Sequence, residues 1–331
     1  MIDGKFTTVC DKWTPRSKET VSRFLLRMQL PSEVHRRMRH LKHIAFWKGS
    51  EYRTFLYYAS VVVMKDYMDC KTYSHFQLYF CGVTIFSSSA HQHLWPLAAV
   101  FLRKFVKEFG TIYGRIYMTS NIHNLQHVSG EVALHGPLDG FSAYPFENHL
   151  QLIKGWVRSG TKCAQQVAAR SDELARVYRA VNTNAPQYPR LKANGAGVHV
   201  TADFVLMPNF KDQWFLTKDH GIVKFLEAKQ SSSFPITVVG VRFLSVAELF
   251  NVTADDNAFS PFSSAELHIY QSQENAPSQL VEVPWTDIRC KLVAVRLPTH
   301  SLNRKPQHPL PPRPNPDTIG FFPLLHTFML E

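Results

Sequence analysis

The sequence predicts an α+β protein: an all-helical N-terminal domain over residues 1–181, then a small antiparallel β-barrel or sandwich over 198–331. Three observations predict it. Before residue 180 apolar residues recur at three- and four-residue spacing, the period of amphipathic helices. After residue 197 they alternate in short runs, the period of strands. Between the two lies NTNAPQYPRLKANGAG, residues 182–197, with the Asn, Pro and Gly content of a linker. At 331 residues and roughly 150 residues per domain, two domains are expected.

The elements follow in order. ETVSRFLLRMQL (19–30) is a helix closed by Pro31, and Ser32 caps a second short helix over 32–43. Residues 52–68 and 71–86 read as buried helices. Residues 93–113 form a long one, with Leu94, Leu97, Ala98, Phe101, Leu102, Phe105, Val106 and Phe109 on its apolar face. Helices over 119–134, 145–158 and 162–181 complete the set. Phe146, Leu150, Ile153 and Val157 mark one stripe that turns Phe146 and Trp156 inward and leaves Lys154 and Arg158 outside. The strands are HVTADFVL, DQWFLT, GIVKFLEA, ITVVGVRFL, AELHIYQ, QLVEVPW, IRCKLVAVRL and IGFFPLLHTF. The proline tract 304–316 reads as an exposed polyproline-II loop, because Pro cannot serve a central strand.

Charge divides as sharply as texture. Residues 1–180 carry 24 Lys and Arg against 13 Asp and Glu, and the remainder carries 13 of each. An anionic partner therefore belongs to the first part. Five scattered cysteines (Cys10, Cys70, Cys81, Cys163, Cys290) without a C-x-x-C pair argue against a disulfide framework or zinc ribbon. The N-terminus lacks an apolar signal-peptide region. The longest apolar run, 55–64, is ended by Lys65 and Asp66, short of the ~20 residues of a membrane span. A nuclear or cytoplasmic protein that is not secreted is expected. Phosphate-loop, dinucleotide, serine-hydrolase and zincin signatures are absent.

The densest constellation spans 118–158. His123 and His127, four apart, share a helical face with Glu131, a spacing that suits a metal but lacks a confirming third ligand, so no metal site is assigned. Gly136 and Pro137 break the chain, and Asp139 in that loop reads as a turn residue. Pro145 opens a helix with Glu147 in its first turn, where the dipole favours an anion, and Lys154 and Arg158 follow on roughly the same face.

The stretch HNLQHVSGEVALHGPLDGFSAYPFENHLQLIKGWVRSGTKCAQQVA resembles the C-terminal region of CACTA (En/Spm-type) DNA transposases. His123, His127, Gly136, Pro137, Tyr144, Pro145, Phe146, Glu147, Lys154 and Arg158 carry the match. LPSEVHRRMRHLKHIAFWKGSEYRTFLYY, DQWFLTKDHGIVKFLEA and FFPLLHT are similar to transposase-derived proteins of insects. The resemblance implies an RNase-H-like core whose helical insertion separates the second catalytic Asp from the final Glu, with Glu147 the candidate retained carboxylate. The two earlier Asp residues of such a core should lie upstream of the matched region, and Met1–Gly4 looks like the tail of a longer reading frame. Two-metal strand transfer needs the whole carboxylate set. The chain alone is therefore expected to bind no cofactor and to catalyse nothing, with Mg²⁺ entering only if upstream sequence completes the site.

The expected function is that of a transposable-element-derived protein that binds DNA weakly and without sequence preference through residues 1–180, with phosphate contacts from Arg36, Arg37, Arg39, Lys42, Lys154 and Arg158. The alternative is a protein-interaction module using the neutral β-domain or the tract Pro306–Pro316. A third reading is a metal-dependent nuclease built on His123, His127, Glu131 and Glu147.

Overall fold

The computed structural model describes residues 13–181, 186–192, 196–231, 234–253, 259–298 and 317–329; the proline tract lies outside them. Helix α1 (Pro15–Arg27) begins where the Thr14 hydroxyl accepts from the Ser17 N–H at 3.1 Å and Pro15 takes the first turn. It buries Val21 and Leu25. The expected second helix over 32–43 does not form, and only Leu41–Phe46 coils, as a 3₁₀ turn. Its side chains are engaged elsewhere: Glu33 pairs with Lys291, Arg39 with Glu51 and His40 with Glu19. Such pairing overrides a weak local propensity.

Helix α2 (Gly49–Thr54) passes through a π-helical turn at Phe55–Ala59 into α3 (Ser60–Tyr67). Helix α4 (Cys70–Phe86) is capped by Asp69, which accepts from the Thr72 N–H at 3.0 Å. It packs on α5 (Trp95–Tyr113), which buries the expected stripe from Ala98 to Phe109 and also Tyr113, while Leu94 and Leu97 of that stripe are half-buried. Contact is so close at Gly82 that a Cβ there would lie 2.8 Å from the Leu102 side chain. The expected helix over 119–134 is interrupted: α6 (Ser120–Asn124), a 3₁₀ turn at Leu125–His127, then α7 (Val128–His135). Gly136, at φ 83°, ends it in a conformation that favours glycine. Helices α8 (Tyr144–Trp156) and α9 (Cys163–Val181) follow.

Helix α8 corrects one expectation. Its stripe exists in the spacing, yet Phe146 is 71% exposed and Leu150 64%. The main apolar cluster is filled by α1, α3, α4, α5 and α7 together with side chains from the β-rich half, among them Phe250, Phe262 and Phe322. No described side chain of α8 belongs to it. Trp156 is half-buried beside His149, with ring centroids 5.9 Å apart, and Lys154 and Arg158 are exposed.

After residue 186 the chain is β-rich. Strand β1 (Arg190–Leu191) falls inside the expected linker and pairs with β2 (Val198–Thr201), which pairs with β3 (Phe204–Leu206). Then come β4 (Trp214–Thr217), β5 (Ile222–Ser231), β6 (Phe234–Phe243), β7 (Ala247–Glu248), β8 (Asn251–Val252), β9 (Phe262–Ser263), β10 (Tyr270–Gln273), β11 (Ser278–Pro284), β12 (Ile288–Arg296) and β13 (Thr318–Pro323). Strands β8 and β9 pair with each other; the other eight form one antiparallel sheet, ordered β11-β6-β5-β4-β12-β13-β10-β7 and curled into a half-barrel. The run AELHIYQ is only partly a strand, because Ser264–Leu267 forms a 3₁₀ turn.

Strand β12 explains how the halves meet. Cys290, Leu292 and Ala294 enter the apolar cluster on one face of the sheet, and Val293 and Val295 enter the helical cluster on the other. A strand covered on both faces reads as a continuous apolar run, here LVAV. The boundary near 182–197 is thus a change of secondary structure, and the core continues across it.

Lys291, in the same strand, is fully buried. Its Nζ lies 2.7 and 2.8 Å from the two carboxylate oxygens of Glu33, 2.8 Å from Asp212 Oδ1 and 2.7 Å from the Val205 carbonyl. Asp212 also accepts from the Ser32 N–H and hydroxyl, each at 2.8 Å. Burial by itself would raise the Asp212 carboxyl; the Lys291 ammonium and the Ser32 hydrogen bonds together hold the group below its ordinary value. This network staples residues 32–33 to the sheet.

Candidate functional site

The π-helical turn after α2 is the most unusual backbone feature of the helical half. Such turns widen the helix by one residue and recur at functional sites. Here the turn presents Leu56 and Tyr57 to an open cleft of about 450 Å³. Its walls include Tyr52 and Arg53 of α2, Tyr57 of the π turn and Tyr79 of α4. The facing wall is the 3₁₀ turn Leu138–Phe141, with Asp139 and Phe141. That turn follows directly from Gly136 and Pro137, so the chain break seen in the sequence builds one side of the cleft.

An ion pair joins the walls: Arg53 Nη2 donates to Asp139 Oδ2 at 2.5 Å. Both side chains are about one-third exposed. The Arg53 guanidinium lies 5.7 Å from the centroid of the Tyr57 ring, a cation–π distance. The Tyr57 hydroxyl is 2.7 Å from Ser87 Oγ, and burial pushes its pKa up to about 12. Tyr52 donates to the Ile44 carbonyl at 2.8 Å, and Phe141 rests on His135 with centroids 5.7 Å apart. The cleft therefore offers aromatic faces on its walls and, at one point, a donor beside an acceptor.

The residues singled out from sequence are dispersed around it. His123 and His127 are exposed, with ring centroids 5.5 Å apart, but Glu131 turns to His135 at 3.7 Å. Glu147 is exposed on α8. Among the described residues no group of three or more His, Cys, Asp or Glu side chains is arranged to hold a metal ion. The side chains of Tyr144 and Pro145 lie outside the described set. Arg36, Arg37 and Lys42 are exposed. Arg39 is committed: its Nε and Nη2 donate to the Glu51 carboxylate at 2.5 and 2.6 Å, and Nη2 also reaches the Phe46 carbonyl at 2.5 Å. That hydrogen bond holds the buried Glu51 below its ordinary pKa. Asp139, taken from sequence as a turn residue, is one half of the ion pair in the cleft. Arg53 and the tyrosines were not singled out; the aromatic run YRTFLYY was their only signal.

A second cluster lies between the helices and the sheet. His91 and His268 have ring centroids 5.6 Å apart, and His268 and His220 5.2 Å. Both ring nitrogens of His91 and Nδ1 of His268 are buried without a hydrogen-bond partner among the described residues. Burial, with Arg289 and neighbouring histidines adding to it, pushes the pKa of His91 down to about 4 and that of His268 to about 2.

Residues 183–305 match a family model described as a domain of unknown function, DUF8592. That span begins before β1 and takes in the sheet as far as β12, leaving the helical half and its cleft outside. No curated protein and no solved structure matches the chain. No helix among the described residues is long and apolar enough to cross a membrane.

Proposed function

We propose that this chain is a transposase-derived nucleic-acid-binding protein that contacts phosphates through its helical half and carries out no strand chemistry on its own. The observation that carries the reading is the segregation of charge. The whole net excess of +11 resides in residues 1–180, and the β-rich half is neutral. Exposed Arg36, Arg37 and Lys42 lie on the irregular segment that leads into α2, and Arg39 is bonded to Glu51. Each lost phosphate contact lowers the slope of log affinity against log salt by about 0.9. The triple variant Arg36→Ala, Arg37→Ala, Lys42→Ala should flatten that slope for duplex DNA by up to about 2.7. An unchanged slope and affinity would remove this segment from the interface. The purified chain with Mg²⁺ or Mn²⁺ should leave supercoiled DNA intact; metal-dependent nicking lost in Glu147→Gln would overturn the non-catalytic reading.

A further inference from the structure

The cleft between α2 and the 138–141 turn is used by none of the phosphate contacts above. Its volume of about 450 Å³ falls within the ~300–1,000 Å³ of small-molecule sites, which are concave, largely apolar and equipped with few polar groups. Its apolar lining is mainly aromatic, with Tyr52, Tyr57, Tyr79 and Phe141. Aromatic walls with a guanidinium among them suit a planar ligand, and unstacked nucleobases stack on such surfaces. Lys48, the residue that precedes α2, is exposed and adjoins Gly49 in the cleft wall, and Lys42 lies one short turn earlier. A strand whose phosphates follow this basic segment is thus led to the cleft mouth.

The polar groups select among bases. Arg53 is bonded to Oδ2 of Asp139. A carboxylate has about four acceptor sites, so Oδ1 and the remaining lone pairs face a ligand as acceptors beside the Arg53 donors. Guanine alone presents two adjacent donors on its Watson–Crick edge, N1–H and N2–H, with the O6 acceptor next to them. Adenine and cytosine present one donor group there, and thymine a single N–H between two carbonyls. We propose that this cleft binds an unpaired guanine of a nucleic-acid strand, with its ring stacked among the aromatic walls, its N1–H and N2–H donated to Asp139 and its O6 accepting from Arg53.

The inference rests on the nucleic-acid reading above, and the experiment separates the two. Fluorescence anisotropy is measured on the full chain with fluorescein-labelled single-stranded T₁₀ and with T₁₀ carrying one central G or one central A. One guanine should tighten binding roughly 10-fold over T₁₀, within the range set by base stacking and paired hydrogen bonds. Adenine should add distinctly less. Raising salt should weaken all three strands and keep the G-to-T ratio, because the discriminating contacts are not phosphate contacts. Guanosine monophosphate should displace the G strand. Asp139→Asn should abolish the difference between G and T, and Phe141→Ser, at a partly exposed rim position, should weaken the G and A strands together. Equal affinity for the three strands, or a guanine increment that survives both substitutions, overturns the guanine site while leaving phosphate binding intact. Failure of duplex and single strands alike to bind defeats the nucleic-acid reading itself. Guanosine monophosphate binding without any strand binding overturns the assignment to a strand.

Discussion

Lys291→Met is the sharpest perturbation of this fold. In the native chain the ammonium is fully buried and faces two carboxylates, Glu33 and Asp212, that are themselves almost wholly enclosed. Methionine fills a similar volume but leaves those carboxylates without a cation. Removing one partner of a buried ion pair costs about 3–5 kcal/mol, because the surviving charge stays desolvated. Here two like charges survive, so the upper part of that range is expected. With a urea m-value of about 3 kcal/mol/M, the midpoint should fall by about 1.3–1.7 M. Equilibrium urea unfolding at pH 7, followed by tryptophan fluorescence, measures it. Two further arms identify the cause. Adding Glu33→Gln and Asp212→Asn to Lys291→Met should recover most of the loss, since no buried charge then remains. Lowering the pH from 7 to 5 should narrow the gap between Lys291→Met and the native protein. Without Lys291, burial raises the Asp212 carboxyl, which takes up a proton in the folded state first and so stabilises the variant as pH falls. A midpoint shift below about 0.3 M at pH 7, or a gap that widens on acidification, would refute the argument that this network is desolvated and binds the two halves together.

The two buried histidines make the native protein acid-sensitive. Their folded pKa values, about 4 and about 2, lie below the ordinary value of 6.5, so the unfolded chain binds protons first and stability is lost as pH falls below about 6.5, at about 3 kcal/mol per unit while both stay neutral. Urea unfolding at pH 7, 6 and 5 should show that slope, and His268→Gln should reduce it. Gly82→Leu should destabilise the α4–α5 contact by about 1–3 kcal/mol through overpacking against Leu102, measured by thermal unfolding. Phe146→Ser with Leu150→Ser should leave the melting temperature nearly unchanged and improve solubility, since both side chains face solvent; a fall of several kcal/mol would restore α8 to the core. Arg39→Ala should destabilise the fold in urea unfolding by leaving buried Glu51 without its cation, whereas Arg37→Ala should stay within about 0.5 kcal/mol.

Periodicity alone determined much of this protein. The stripe from Leu94 to Phe109 is read from residue spacing and is buried from Ala98 onward, and the switch from helical to alternating pattern across residues 182–197 marks the change from helix to strand. Both are legible because one element's own spacing fixes which side chains can share a face. The charge asymmetry between the halves was equally legible, being a property of composition. What only the tertiary structure decided lies where a residue's partner is remote in sequence. Glu33 and Lys291 are 258 positions apart, and their pairing removes a helix that local propensity favoured. Arg39 reads as a free cation until Glu51 takes it. Phe146 reads as core, yet it is exposed, and Phe250, Phe262 and Phe322 of the β-rich half complete the helical cluster without it. The cleft was hidden for the same reason: Arg53 and Asp139 are 86 positions apart, and each is unremarkable alone. Spacing specifies which faces are apolar, but which face is covered, and which charge is answered, depends on competition among distant segments for one interior.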